Sequence, residues 1–224
     1  MSSTTPAKRR RYSPEKRRAM ILDHAAEVVA SEGVSAATME RIARQADVSK
    51  SLIYAYFENV TELLRELLQR ELRRLRRLQA QAAATTEDFS EMVRAVTHQY
   101  IGYIAERGLI LQRLQSEPSL ADGRDPTDYS RPDAVRFVAK VVSANFDMPM
   151  DLAIACTDIS FGIPAAAGHF LESETTDPAW VEDITVQMII GSIEGVSNAY
   201  KAGQLASVAS DEDTLHGVDG VAAV

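Results

Sequence analysis

The stretch from Val34 to Phe57 constrains this chain more than any other part of it. Two short apolar-periodic segments flank a break at Asp47-Val48-Ser49. Thr38 suits the N-cap of a first helix from Met39 to Ala46, and Ile42, Ala43 and Ala46 give that helix one narrow apolar stripe. Asp47 tolerates the left-handed backbone that a tight turn needs, and Val48 is placed to plug the gap between two helices. Ser49 then caps a second helix from Lys50 to Tyr56, with Leu52, Ile53, Tyr56 and Phe57 as packing residues. Two short helices joined by so brief a turn form a helix-turn-helix, whose second helix can enter a DNA major groove. Spacing alone leaves an ordinary helical hairpin inside an all-α core equally open.

Charge separates the two readings. The formal net charge of −8 argues against a protein that coats nucleic acid indiscriminately. Its distribution is uneven. Residues 1–78 hold 16 Lys and Arg against 10 Asp and Glu, a balance of +6; the remaining 8 and 22 give the rest of the chain −14. A basic head on an acidic body has this asymmetry, and the basic part coincides with the two short helices.

Around them the chain reads as helix after helix. Residues 1–12, with Lys8-Arg9-Arg10-Arg11 and no apolar period, read as a disordered basic arm that either tracks DNA or is a solvated tail. Ser13-Pro14 starts a helix that runs to about Ser31 and ends at Gly33, with Arg17 and Arg18 facing phosphates or plain solvent. A long amphipathic helix follows, capped by Asn59 or Thr61 and reaching about Ala84. Leu64, Leu68, Leu72, Leu75 and Leu78 form its core stripe, and Arg70, Arg73, Arg74, Arg76 and Arg77 form a solvated face. Further helices are expected over Thr86–Arg107, over Leu109–Ser116 after a break at Gly108, and from Thr127 or Arg131 to Phe146, with 118–126 as a loop. Two more, about 149–171 and 178–201, are apolar on several faces and carry small residues. That is more apolar surface than one small body covers, so a homodimer through 149–171 and 178–201 is expected, with an intramolecular pair as the alternative. From Gln204 the chain reads as an acidic tail. The expected domains are therefore 1–12 arm, 13–58 DNA-binding head, 59–203 helical effector-binding and dimerisation body, and 204–224 tail, an all-α chain of about nine helices.

Catalytic and cofactor motifs are missing. None of the phosphate-cradling, dinucleotide or zinc-ligand patterns occurs, and His24, His98, His169 and His216 have no partner at helical spacing, so no enzyme, metal or cofactor is expected. The single cysteine, Cys156, lies in an apolar run and reads as a small core residue in a chain suited to a reducing cytoplasm. No apolar run is expected to reach the roughly 18–20 residues that cross a bilayer, and no apolar h-region follows the basic start.

The order Thr38-x-x-x-Ile42-Ala43-x-x-Ala46-x-Val48-Ser49-Lys50-x-x-Ile53-Tyr54-x-Tyr56-Phe57, followed by Leu63-Leu64, resembles the signature of the TetR family of bacterial transcriptional regulators. The resemblance covers roughly residues 14–68. It departs from the family pattern at Asp47, where Gly is usual; at Ser51-Leu52, where Gly-Thr is common; and at Val60, where a phosphate-binding Lys is usual. It implies a dimeric, cytoplasmic DNA-binding regulator, a repressor released by a small apolar effector, reading a near-palindromic operator in double-stranded DNA. The expected DNA surface is Thr38, Arg44, Ser49, Lys50, Ser51, Tyr54 and Tyr56. An effector cavity in the body is implied by the resemblance, and Met92, Tyr100, Tyr103, Phe137, Asp158 and Phe161 are its candidate lining; they read equally well as solid core or, for Asp158, as an outward-facing carboxylate. A helical small-molecule- or partner-binding module without a DNA role is the alternative.

Overall fold

The computed structural model describes residues 13–120, 131–173 and 176–205. The basic arm at 1–12, the acidic tail from 206 and most of the 118–126 loop lie outside the described residues. Nine α-helices and two 3-10 turns fill the rest, with no strand among the described residues.

Local capping chemistry sets most of the boundaries. Helix α1 (Pro14–Glu32) opens with Pro at its first position, and Ser13 Oγ accepts a hydrogen bond from the Lys16 amide at 3.3 Å. It stops at Gly33, whose φ of 92° and ψ of 171° belong to a region that a side chain makes costly, and whose N–H returns to the Val29 carbonyl. A 3-10 turn (Val34–Ala36) leads to α2 (Met39–Gln45) and α3 (Lys50–Tyr54). Asn59, not Thr61, starts α4 (Val60–Ala83), accepting the Glu62 amide on Oδ1 at 2.8 Å. Then follow α5 (Phe89–Gln115), a 3-10 turn (Pro118–Leu120), α6 (Arg131–Phe146), α7 (Met150–Ser160), α8 (Gly162–Ser173) and α9 (Pro178–Lys201). Asp177 caps α9 by accepting from the Ala179 amide at 3.0 Å.

Four expectations are corrected. Helix α5 runs straight through Gly108, because one helical Gly costs only about 1 kcal/mol and Ile110, Leu111 and Leu114 continue the buried stripe. The expected helix at 149–171 is two helices, interrupted at Phe161; Gly162 and Pro164 suit the first turn of a new helix better than the middle of an old one. That stretch, Met150–Leu171, also has the length and apolarity of a membrane crossing, against the expectation that none would. Its 18-residue window has a mean hydropathy of 1.3 and is only 17% buried, so much apolar surface there is left uncovered. The second short helix stops at Tyr54, two residues early, and Tyr56 lies beyond it.

The chain divides into two compact units, one from the described residues of Met1–Arg77 and Tyr103–Asp128, the other from those of Leu78–Gly102 and Tyr129–Val224. In the first, Ile21, Val29, Ile42, Ile53, Phe57, Leu63 and Leu67 are fully enclosed. Two polar devices reinforce it. Arg113 of α5 donates Nη1 to the Val29 and Ala30 carbonyls at 2.6 and 2.8 Å, satisfying the last turn of α1. Glu71 of α4 is 1% exposed, and its Oε2 accepts both the Tyr103 hydroxyl and Arg107 Nε at 2.6 Å, while Arg70 reaches Oε1 at 3.1 Å. Arg70 also binds Asp23 of α1 at 2.8 Å, so it is a tie between helices, not part of a solvated face. In the second unit, Phe89, Met92, Val142, Met148, Ala153, Cys156, Val186 and Ile193 share one core, with Phe89 edge-on to Phe146 at 5.2 Å.

Candidate nucleic-acid interface

The candidate interface centres on helix α3, which with five residues is too short to persist without tertiary support. That support comes from beneath. Ile53 and Phe57 are enclosed, α2 packs against both α1 and α3, and the turn between the short helices is closed by the Val48 amide on the Ala43 carbonyl at 3.0 Å. Asp47 adopts φ 49°, the left-handed conformation expected of it. With Ile53 inward, Lys50, Ser51 and Tyr54 point out, and Tyr54 is 48% exposed.

Each candidate residue has a definite place. Thr38 Oγ1 accepts from the Arg41 amide at 3.1 Å and Ser49 Oγ from the Leu52 amide at 3.2 Å, so both hydroxyls serve their own helix starts. Ser51 Oγ lies 3.1 Å from Ser49 Oγ. Arg44 is exposed on the rim of a shallow cleft of about 410 Å³ that also includes Asp47 and Ser49. Lys50 Nζ pairs with the Glu40 carboxylate and lies 5.9 Å from the Tyr54 ring centroid. That hydrogen bond, and then the ammonium's charge, holds the Glu40 carboxyl below its usual range; Glu40 in turn holds the Lys50 ammonium above its own. Tyr56 is half-buried at the foot of α3. Thr38, Arg44, Ser49, Lys50, Ser51 and Tyr54 are thus exposed together, and Tyr56 stands apart from them in burial.

Arg18 does not face outward for phosphates. Its guanidinium grips Glu66 through Nε and Nη2, donates Nη1 to the Tyr56 carbonyl at 2.8 Å, and lies 4.5 Å above the Phe57 ring. One α1 side chain therefore fixes the end of α3 against α4. A second brace runs over α2: Arg41 pairs with Glu32 of α1, and Gln45 donates to Glu27 at 3.0 Å. Sequence reasoning missed these braces because their partners lie 9 to 48 residues away.

The candidate effector residues are not gathered at one place. Met92 is in the core of its unit, Tyr103 is committed to Glu71 in the other unit, and Phe137 is exposed. Asp158 is exposed and paired with Arg131, whose Nε donates to Oδ1 at 3.0 Å; Arg131 also lies 5.8 Å from the Phe161 ring centroid. Tyr100 lies against Gly168, where a Cβ would come within 2.8 Å of its hydroxyl. A cleft of about 900 Å³ does open in the second unit, between 83–87 and the 137–145 face of α6, with Phe137 and Lys140 on its wall. Among the described residues no group of three or more His, Cys, Asp or Glu side chains could hold a metal ion.

Known proteins share this arrangement. The family model for bacterial regulatory proteins of the tetR family matches residues 21–67, from the core face of α1 into α4. A 94-residue stretch is 35% identical to the HTH-type transcriptional activator FasR of Mycolicibacterium smegmatis, covering 42% of this chain and 43% of that protein. The match thus spans less than half of that relative's length. Two solved structures share the fold over most of the chain. One, from Pseudomonas aeruginosa PAO1, has a TM-score of 0.69 at 16% identity and covers 86% of this chain and 96% of that one. The other, a tetR-family transcriptional regulator from Streptomyces coelicolor, has a TM-score of 0.66 at 19% identity and covers 86% of each chain. The stretch 21–67, whose helix-turn-helix Arg18 and Ile53 hold in place, is thus similar to the tetR family of bacterial regulatory proteins.

Proposed function

We propose that this chain is a sequence-specific DNA-binding regulator of transcription that acts as a homodimer. The observation that carries this is the exposed face of α3, where Lys50, Ser51 and Tyr54 project from a rod whose buried side is fixed by Ile53 and Phe57. Lys50 and the Tyr54 hydroxyl suit phosphate oxygens and base edges, Arg44 adds a cation beside them, and Thr38, Ser49 and Tyr56 hold the two helix starts and the end of α3 in register. The domains expected from the sequence, a head at 13–58 and a body at 59–203, are the frame of this reading.

Apolar surface supports the dimer. Along α9, Trp180, Ile184, Met188, Gly191 and Gly195 follow one another at helical spacing and are exposed; Trp180 is 53% and Met188 55% exposed. Ile159, Gly162, Ala166 and Phe170 make a similar exposed row along α7 and α8, with Ile159 at 80%. Small residues among large apolar ones let a second copy approach closely, as in a four-helix bundle. Two heads then read two half-sites about 34 Å or a multiple apart, so the operator is near-palindromic.

A small apolar effector is the proposed control, with the cleft beside Phe137 and Lys140 as its candidate seat. It shifts DNA occupancy by no more than its difference in affinity for the two states of the dimer. Repression relieved by that effector is the proposed mode. The activator named among the relatives favours a second mode, activation, and a promoter–reporter strain with and without the chain decides between them. The DNA reading is tested by titrating sheared genomic DNA of the host with wild type and a Lys50→Ala, Tyr54→Ala double variant across salt concentrations. Wild type binds with a steep salt dependence and the variant at least tenfold more weakly. Equal binding by both removes α3 from the interface.

A further inference from the structure

We infer that Glu40 is a specificity-determining residue: it occupies Lys50 in the absence of DNA, so that a duplex without the right bases must displace a carboxylate without replacing its bond. The inference rests on the DNA-binding reading of α3. Glu40 is exposed in the first turn of α2, and its Oε1 takes the Lys50 ammonium across the turn that joins the two short helices. The pair therefore lies on the face that α3 presents. That face is electrically balanced. Among the described residues from Thr38 to Tyr54, the exposed cations are Arg44 and Lys50, and the exposed anions are Glu40 and Asp47. At the start of α4 stands Val60, which adds no cation.

Balance has a consequence. Non-specific affinity comes from phosphates neutralised by Lys and Arg, so a lysine already neutralised within the protein contributes less to it. A phosphate that reaches Lys50 also finds the Glu40 carboxylate next to it and is repelled. The penalty applies to every duplex alike. The compensation does not, because a freed carboxylate accepts a hydrogen bond from a cytosine N4 amino group in the major groove and has no such partner on guanine, whose edge offers acceptors. Discrimination then arises from both a repulsion and an attraction, the usual construction of a selective interface.

The experiment uses the full chain, a duplex selected from a random pool by the wild-type protein, and a shuffled duplex of the same length and composition. Glu40→Gln keeps the size and helix-forming tendency of the side chain. It tightens binding to the shuffled duplex by about three- to tenfold and changes binding to the selected duplex by less than about twofold, so the ratio of the two affinities shrinks. In a Lys50→Gln background, Glu40→Gln tightens the shuffled duplex by a smaller factor than in wild type, because only the repulsion is relieved and no lysine is freed. Equal tightening of both duplexes overturns the inference, as does weakening of both, which would make Glu40 a mere support for Lys50. Those results leave the DNA reading standing. A wild-type protein that selects nothing from the pool removes both.

Discussion

Arg18 and Glu66 join the first and fourth helices through a forked ion pair, Nε donating to the two carboxylate oxygens at 2.8 and 3.0 Å. The same guanidinium holds the Tyr56 carbonyl, so the pair fixes the level at which α3 stands. Arg18→Ala lowers stability in urea denaturation by about 1–2 kcal/mol, the lower part of the range reflecting partial exposure of the pair. It also weakens duplex binding while leaving the salt slope unchanged. A slope reduced by about one would instead mean that Arg18 meets a phosphate.

Glu71 gives the fold a sensitivity to acid. Burial pushes its carboxyl up, but the hydrogen bonds from Arg107 and Tyr103 outweigh burial and leave it below the ordinary carboxylate range. A carboxyl lowered in the fold stabilises fully above its unfolded pKa of about 4.3, and that contribution is lost as pH falls through the lowered value. Wild type therefore loses stability in that acid window. Glu71→Gln costs about 1–3 kcal/mol at neutral pH, because Arg107 loses its countercharge, and flattens the acid slope. Thermal unfolding followed from pH 7 down to pH 3 reads both effects.

Asp47 carries a conformational cost that glycine does not. With φ at 49° its side chain opposes the left-handed turn, and Asp47→Gly raises stability by up to about 1 kcal/mol. The change also removes an anion beside Arg44, so duplex affinity rises a little. A loss of stability of that size would show that the Asp47 side chain holds the turn.

Much of this fold is legible in local chemistry. Ser13-Pro14, Thr38, Ser49 and Asp177-Pro178 each mark a helix start, because a cap and its amide lie within three residues of one another. What escapes is set by distance or by small energies. Gly108 looks like a break and is not, since neighbouring leucines outweigh one glycine; Phe161 looks continuous and is not, since an Ala- and Gly-rich apolar run hides where one helix stops. The face of α3 follows from Ile53, whose burial turns Lys50 and Tyr54 outward, but the Glu40 partnership of Lys50 does not follow from any periodicity. Likewise Arg70 and Asp158 look like a solvated cation and an intrahelical carboxylate until Asp23 and Arg131, 47 and 27 residues away, are brought beside them.

The exposed row on α9 makes a separate prediction. Met188→Arg places a charge on a side chain that contributes little to its own unit's core, so the chain folds with near wild-type stability. Light scattering then shows one chain per particle where wild type shows two, and duplex affinity falls by at least tenfold as the second half-site is lost. A variant that remains paired places the interface elsewhere.

The outward face of Lys50–Tyr54 is tested most directly by sequencing the duplexes that the protein retains from a random pool. Wild type enriches an inverted repeat whose half-sites lie one or more helical turns apart, and the Lys50→Ala, Tyr54→Ala variant does not. No enrichment by wild type, or the same repeat enriched by the variant, would contradict the account.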